Sequence, residues 1–151
     1  MTGDVLPGGS LRLEFDPSPA PETRATLARE INDFNSHAFP YAPSRFAYLS
    51  RGEAGTLLAG VMGSLSWGWL FVEAVWVSDA LRGRGIGRAL MEAAERHARE
   101  CGCHSVWLDT FQARDFYLGI GYETFGVLDD YPHGQRRTFM RKALQKQDKT
   151  S

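Results

Sequence analysis

The sequence predicts a mixed α/β domain of the α+β kind, built on a largely antiparallel sheet with one strand–helix–strand crossover near its middle. Three features carry this. Short segments of alternating apolar and polar residues recur on both sides of the centre. One long, strongly amphipathic helical stretch follows a glycine-rich loop. That stretch lies between two strand-like runs, "WLFVEAVWV" and "SVWLDTF", so it reads as the crossover.

In chain order, Met1 to Gly9 has no periodicity and reads as a loose tail, and Leu11 to Phe15 ("LRLEF") alternates as a first strand. "DPSPAP" breaks the chain, with Asp16 or Ser18 as candidate cap and prolines suited to a first helical turn. Leu27, Ile31, Phe34 and Ala38 then recur at helical spacing. After "FPYAPSR", Arg45 to Arg51 reads as a strand, "GEAG" as a turn, and "TLLAGVMGSLSW" and "WLFVEAVWV" as a hairpin closed at Gly68. The central helix places Ile86, Leu90, Ala94, His97 and Cys101 on one face. Glu92 with Arg96 and Glu95 with Arg99 form i,i+4 pairs on the other, and Gly102 is a natural stop. Ser105 to Phe111 is a strand and "ARDFYLG" a short helix. "YETFGVL" and "TFMRKAL" close the sheet around the polar loop "DDYPHGQRR", and the last residues, 145–151, read as a disordered tail. Residues 1–144 are expected to form a single domain.

Composition excludes several classes. The 17 Lys and Arg against 18 Asp and Glu argue against a general nucleic-acid binder. No apolar run approaches the ~20 residues of a membrane span, and the N-terminus lacks the pattern of a secretory signal. Cys101 and Cys103 make no disulfide framework, which suits a reducing compartment. The expectation is a cytoplasmic protein with neither nucleic-acid nor membrane partners.

Against this neutral background, "RGRGIGR" (Arg82 to Arg88) concentrates three arginines and three glycines before a helix. A helix start offers unpaired N–H groups and partial positive charge, and glycines let the backbone approach an anion. The combination describes a phosphate site. It is neither a P-loop, since Gly87 is followed by Arg88 and Ala89, nor a dinucleotide fingerprint, whose third glycine would fall on Arg88. Glu73 is the lone charged residue between Thr56 and Ser78. A carboxylate within an apolar strand needs a partner or a task, and burial raises its pKa toward that of a neutral-pH base. Alternation puts Glu73 on one face with Phe71 and Val75, opposite Val72 and Ala74. A wet face or a pairing arginine is the competing account. Tyr117, in "ARDFYLGIGY", is a proton donor or a core tyrosine with its hydroxyl satisfied.

"VSDALRGRGIGRALM" resembles the cofactor motif [Q/R]-x-x-G-x-[G/A] of the GNAT superfamily of N-acetyltransferases, with Arg82, Gly85 and Gly87 at its three fixed positions. The region from "ARDFYLGIGY" is similar to a second family pattern, matched by Ala113, Phe116, Tyr117, Gly121 and Tyr122. The resemblance implies the GNAT fold: a mostly antiparallel, twisted sheet of six to seven strands, flanked by helices, with a βαβ cofactor core. It implies acetyl-CoA as cosubstrate, with the N–H groups of Arg82, Gly83, Arg84, Gly85, Ile86, Gly87 and Arg88 on its pyrophosphate. Main-chain groups of Val75, Trp76 and Val77 would hold the acetyl carbonyl and pantetheine arm. Glu73, four residues before Val77, is implied as the base and Tyr117 as the acid. The family's asparagine falls on Thr110, a hydroxyl in place of a carboxamide, with Asp109 and Gln112 as substitutes for the pantetheine contact. The implied reaction is direct acetyl transfer to a primary amine. The acceptor side would come from "NDFNSHAFPYAP" and "LDDYPHGQ", whose polar and aromatic content suits a small cationic amine. A protein N-terminus or lysine is the alternative acceptor, and a non-catalytic acyl-CoA-binding domain the alternative class.

Other signals are set aside. "CGCH" with His97 lacks four ligands at finger-like spacing, so no metal is expected and the thiols read as buried. His37 and His133 are isolated. Trp67, Trp69, Trp76 and Trp107 read as core or interface residues and make a homodimer a candidate.

Overall fold

A computed structural model of the chain describes residues 7–144. The tail expected at residues 145–151 lies outside the described residues, as do residues 1–6 of the expected N-terminal tail. The chain divides into two compact units, one ending at Tyr41 and the other beginning at Ala42.

In the first unit, Leu11 to Phe15 does not form the expected strand. Only Arg12 makes a bridge contact, and Leu11, Leu13 and Phe15 stay exposed. Alternation supplies an apolar edge, but a strand also needs a partner for its main-chain groups. Helix α1 (Pro21–Ser36) does form, with proline at its first turn where a missing N–H does no harm. Neither expected cap is used. Ala20 is the N-cap, and Asp16 Oδ1 instead accepts a hydrogen bond from the Ser18 N–H at 2.9 Å. Ala38 falls past the helix end.

The second unit contains β1 (Ser44–Arg51), β2 (Leu57–Ser66), β3 (Trp69–Val77), α2 (Ile86–Glu100), β4 (Ser105–Thr110), α3 (Arg114–Gly119), β5 (Glu123–Asp129) and β6 (Arg136–Ala143). These make one six-stranded sheet in the order β1-β2-β3-β4-β6-β5, antiparallel except between β3 and β4. The β2–β3 hairpin turns at Trp67 and Gly68, both left-handed, as a two-residue turn matching strand twist demands.

The core lies between the sheet and α2. Val61, Leu70, Val106, Leu108 and Met140 are almost fully buried, and α2 adds Met91, Ala94 and Ala98. Each large side chain so buried contributes about 1.5–3 kcal/mol. The two alanines let the helix backbone settle close to the sheet. The buried stripe of α2 runs through Met91, Ala94, Glu95 and Ala98, so it is rotated from the predicted Leu90–Ala94–His97–Cys101 face. Cys101 is exposed rather than buried, and Cys103 is partly covered. Burial, with Cys101 beside it, pushes the Cys103 thiol up. The predicted i,i+4 pairs are replaced: Glu92 pairs with Arg88 at 3.3 Å, and Glu95 points inward to Lys142. No helix among the described residues is long and apolar enough to cross a membrane.

Candidate active site

The site begins with an irregularity in β3. Met62 pairs with Ala74 and Gly63 with Val72, so Glu73 is the extra residue of a β-bulge. Gly63 is required opposite it, since a Cβ there would lie 2.8 Å from both the Phe71 carbonyl oxygen and Leu70 Cδ1. The bulge shifts the strand's phase. Val72 is buried and Val75 packs against the same core, whereas Ala74 and Trp76 are exposed. The predicted grouping of Val75 opposite Val72 is therefore wrong, because simple alternation holds only while the ladder is unbroken.

The same strand then leaves its other neighbour. β3 and β4 pair at Trp69–Ser105, Leu70–Val106 and Phe71–Trp107, and no further. Beyond this point the sheet is split. The β4-facing main-chain groups of the C-terminal half of β3 have no strand partner, which leaves them open to a ligand.

Two cavities occupy the split. One, of about 750 Å³, is walled by Val75, Trp76 and Val77 and floored by the arginine–glycine loop, every residue of which from Arg82 to Arg88 lines it except Arg84. The other, of about 350 Å³, holds Glu73, Asp109, Thr110 and Arg137. They share Val75, Gln112, Ala113 and Tyr117.

The loop presents what an anion needs. Gly83 and Gly85 are left-handed, at φ 78° and 76°, and Gly85 is the N-cap of α2. No side chain caps the helix, and no acidic residue lies in its first turn. The N–H groups of Ile86, Gly87 and Arg88 therefore have no intrahelical acceptor and face outward with the positive end of the helix. Gly87 sits against the Phe116 ring, 3.4 Å from a would-be Cβ. Arg82 donates from Nε to the Val77 carbonyl at 3.2 Å and pairs with the exposed Asp79 at 3.0 Å. Arg88 pairs with the exposed Glu92. Arg84 has no acidic partner among the described residues. Phosphate oxygens fit this set, because solvent-exposed ion pairs are weakly held.

Glu73 is 19% exposed and lies 3.5 Å from Arg45, itself 78% exposed. The pairing arginine of the competing account is thus present, but as a solvated partner that a ligand cation can displace. Tyr117 is buried on α3, its ring edge-on to Phe116 at 5.0 Å and to Tyr122 at 5.7 Å. Burial raises its phenol above the ordinary value. Thr110 Oγ1 accepts a hydrogen bond from the Ala113 N–H at 3.1 Å, in the turn that precedes α3. Of the two substitutes for a carboxamide there, Asp109 is held by Arg137 at 2.6 Å, while Gln112 lines both cavities.

Arg137 is the residue that sequence reasoning missed, having been assigned to the last loop. It is in β6, two residues from Phe139, which opposes Asp109, so the pair is a diagonal cross-strand contact. The Tyr131 ring covers its guanidinium at 4.2 Å. The loop is pinned further by Asp130, whose Oδ1 receives the Gly134 N–H and lies 2.8 Å from His133 Nδ1. No group of three or more His, Cys, Asp or Glu side chains among the described residues is placed to hold a metal.

The split thus holds the arginine–glycine loop in one cavity, Glu73 in the other and Tyr117 at the wall they share, an arrangement that suits a phosphate-bearing donor. Residues 11–122 match the Acetyltransferase (GNAT) family. The chain is 40% identical over 102 residues to blasticidin-S acetyltransferase of Streptomyces morookaense, covering 66% of this chain and 75% of that protein. A crystal structure from Agrobacterium tumefaciens superposes with a TM-score of 0.83 at 25% identity, covering 88% of this chain and 99% of that one. An aminoglycoside 6'-N-acetyltransferase complexed with coenzyme A shares the fold, with a TM-score of 0.59 at 17% identity over 85% of this chain and 96% of that one. The chain belongs to the GNAT family and is an acetyl-CoA-dependent N-acetyltransferase.

Proposed function

We propose that the protein transfers an acetyl group directly from acetyl-CoA to the primary amine of a small cationic acceptor, with Glu73 as base and Tyr117 as acid. The observation that carries this is the sharing of Val75 and Tyr117 by the two cavities. A donor whose pyrophosphate rests on the loop from Arg82 to Arg88 would bring its thioester to that junction, beside the cavity of Glu73. There the unpaired main chain around Val75 to Val77 would polarise the thioester carbonyl, Glu73 would take the ammonium proton directly or through water, and Tyr117 would protonate the departing thiolate. Gln112, and the hydroxyl of Thr110, would meet the pantetheine arm. The family match spans both units, which supports reading residues 1–144 as one catalytic domain.

Charge supports a cationic acceptor. Arg137 balances Asp109 within the smaller cavity, leaving Glu73 with only its exposed arginine. The likeness to blasticidin-S acetyltransferase makes blasticidin S the first acceptor to try. The test is an amine panel containing blasticidin S, polyamines, aminoglycosides and peptides with free N-termini or lysines, with release of free CoA as readout. Turnover confined to peptides would replace the small-molecule reading.

Two expected outcomes concern the donor. Acetyl-CoA at 100 times Kd should stabilise the fold by about 2.7 kcal/mol, a rise in Tm of roughly 5–10 °C for a chain of this size. ATP and NAD should give no comparable shift, and an equal response to all three would remove the specific cradle. Gly85→Ala forces a Cβ into left-handed backbone at a strain of about 1–2 kcal/mol; the free loop can shed that strain by leaving the conformation, which binding must then restore, so Kd for acetyl-CoA should weaken by up to about 5- to 30-fold. Gly85→Asn, which tolerates that conformation, should lose less. Calorimetric titration of both variants checks the order.

A further inference from the structure

Beneath the site lies a polar cluster that the reaction does not use. Glu95, on the buried stripe of α2, has a side chain only 4% exposed. Lys142 Nζ, from β6, lies 2.8 Å from its Oε1 and donates to the Ile120 carbonyl at 2.9 Å. The Tyr122 hydroxyl donates to the same Glu95 oxygen at 3.3 Å. Helix α2, strand β6 and the connection between α3 and β5 thus meet at one carboxylate. Period-two alternation puts Lys142 on the core face with Thr138 and Met140, where a lysine without a partner would not stay.

The segment they anchor is the one that supports Tyr117. Ile120 and Tyr122 both donate their N–H groups to the Tyr117 carbonyl, at 3.2 and 3.0 Å, and the Tyr122 ring packs edge-on against the Tyr117 ring. Helix α3 has six residues, too few to hold its own shape in water. Its C-terminal end is fixed by Lys142 from outside. Glu95 stands nine residues along α2 from Ile86, about 14 Å at helical rise, so the helix whose start forms the anion cradle also carries the anchor for the phenol.

We propose that Glu95, Lys142 and Tyr122 are positioning residues that hold the Tyr117 phenol in register with the donor cradle at the start of α2. Stability alone is a poor account of this cluster, because well-packed apolar replacements of a buried ion pair are often neutral or stabilising. The catalytic consequence rests on the reading of Tyr117 as the acid, but the positioning itself does not.

The test uses the full chain labelled with carbon-13 at the ζ position of its five tyrosines, Tyr117 being assigned by its loss in Tyr117→Phe. The variants are Tyr122→Phe, which keeps the ring, and the double variant Glu95→Gln/Lys142→Met, which leaves no uncompensated buried charge. Lys142→Arg, able to donate to both acceptors, serves as the conservative control. The double variant should shift the Tyr117 resonance and lower kcat about 10- to 100-fold, the range expected of misplaced catalytic groups, with KM for acetyl-CoA near the wild-type value. Tyr122→Phe should move both readouts the same way by less, and Lys142→Arg should leave both close to wild type. A folded double variant with an unmoved Tyr117 resonance overturns the proposal, as does Lys142→Arg shifting the resonance as far as the double variant. Should Tyr117→Phe turn over at the wild-type rate, the acid role falls while the resonance still decides the positioning.

Discussion

Tyr117→Phe is expected to lower kcat by about 100-fold, the middle of the range for losing a positioned acid, with little change in acetyl-CoA affinity. The substitution removes one oxygen and keeps the ring, so the edge-on contacts to Phe116 and Tyr122 survive and no cavity forms in the core. On the proposed reading the donor's phosphates would meet the loop and the start of α2, which the missing hydroxyl does not touch. Burial holds the phenol above its ordinary pKa. The protonated form is therefore fully populated through the neutral range, and its loss comes at higher pH than for a free phenol. Steady-state kinetics with a saturating acceptor, together with titration of acetyl-CoA binding, check the split. Unchanged turnover would show that the thiolate takes its proton elsewhere.

Glu73→Gln should lower kcat/KM near pH 7 by about 100-fold, and the deficit should shrink as pH rises. The reason lies in the acceptor. A lysine-like amine has a free pKa near 10.4, so at neutral pH almost all of it is an ammonium that must lose a proton before attack. The glutamine keeps the size and shape of Glu73, so the bulge and the split should persist. Its other loss is the contact to Arg45, mostly solvated, worth about 1 kcal/mol at most. The pH–rate profiles of wild type and variant decide the matter, and superimposable profiles would take Glu73 out of the role.

Much of the architecture was legible because it depends on short-range rules. The proline at the start of α1, the hairpin at Gly68, the β3–α2–β4 crossover and the last two strands follow from local spacing and turn chemistry. So does the arginine–glycine loop at the start of α2, whose residues are contiguous in the chain. The failures share one cause. Leu11 to Phe15 has the pattern of a strand without its ladder. Glu95 looks like a surface partner for Arg99 because its real partners, Lys142 and Tyr122, are 47 and 27 residues away in sequence. Arg137 looks like part of a loop because only the β4–β6 register brings it to Asp109.

By itself the sequence determined the loop and helix start proposed as the donor cradle, since a loop and the helix it opens are contiguous wherever the chain carries them. Tertiary structure decided where the other proposed site residues stand. The bulge that singles out Glu73, the parting of β3 from β4 and the anchoring of Tyr117 from α2 and β6 each depend on main-chain and side-chain partners far away in the chain. Those partners come together only when the sheet has chosen its register and the core has closed over the groups that must be paired.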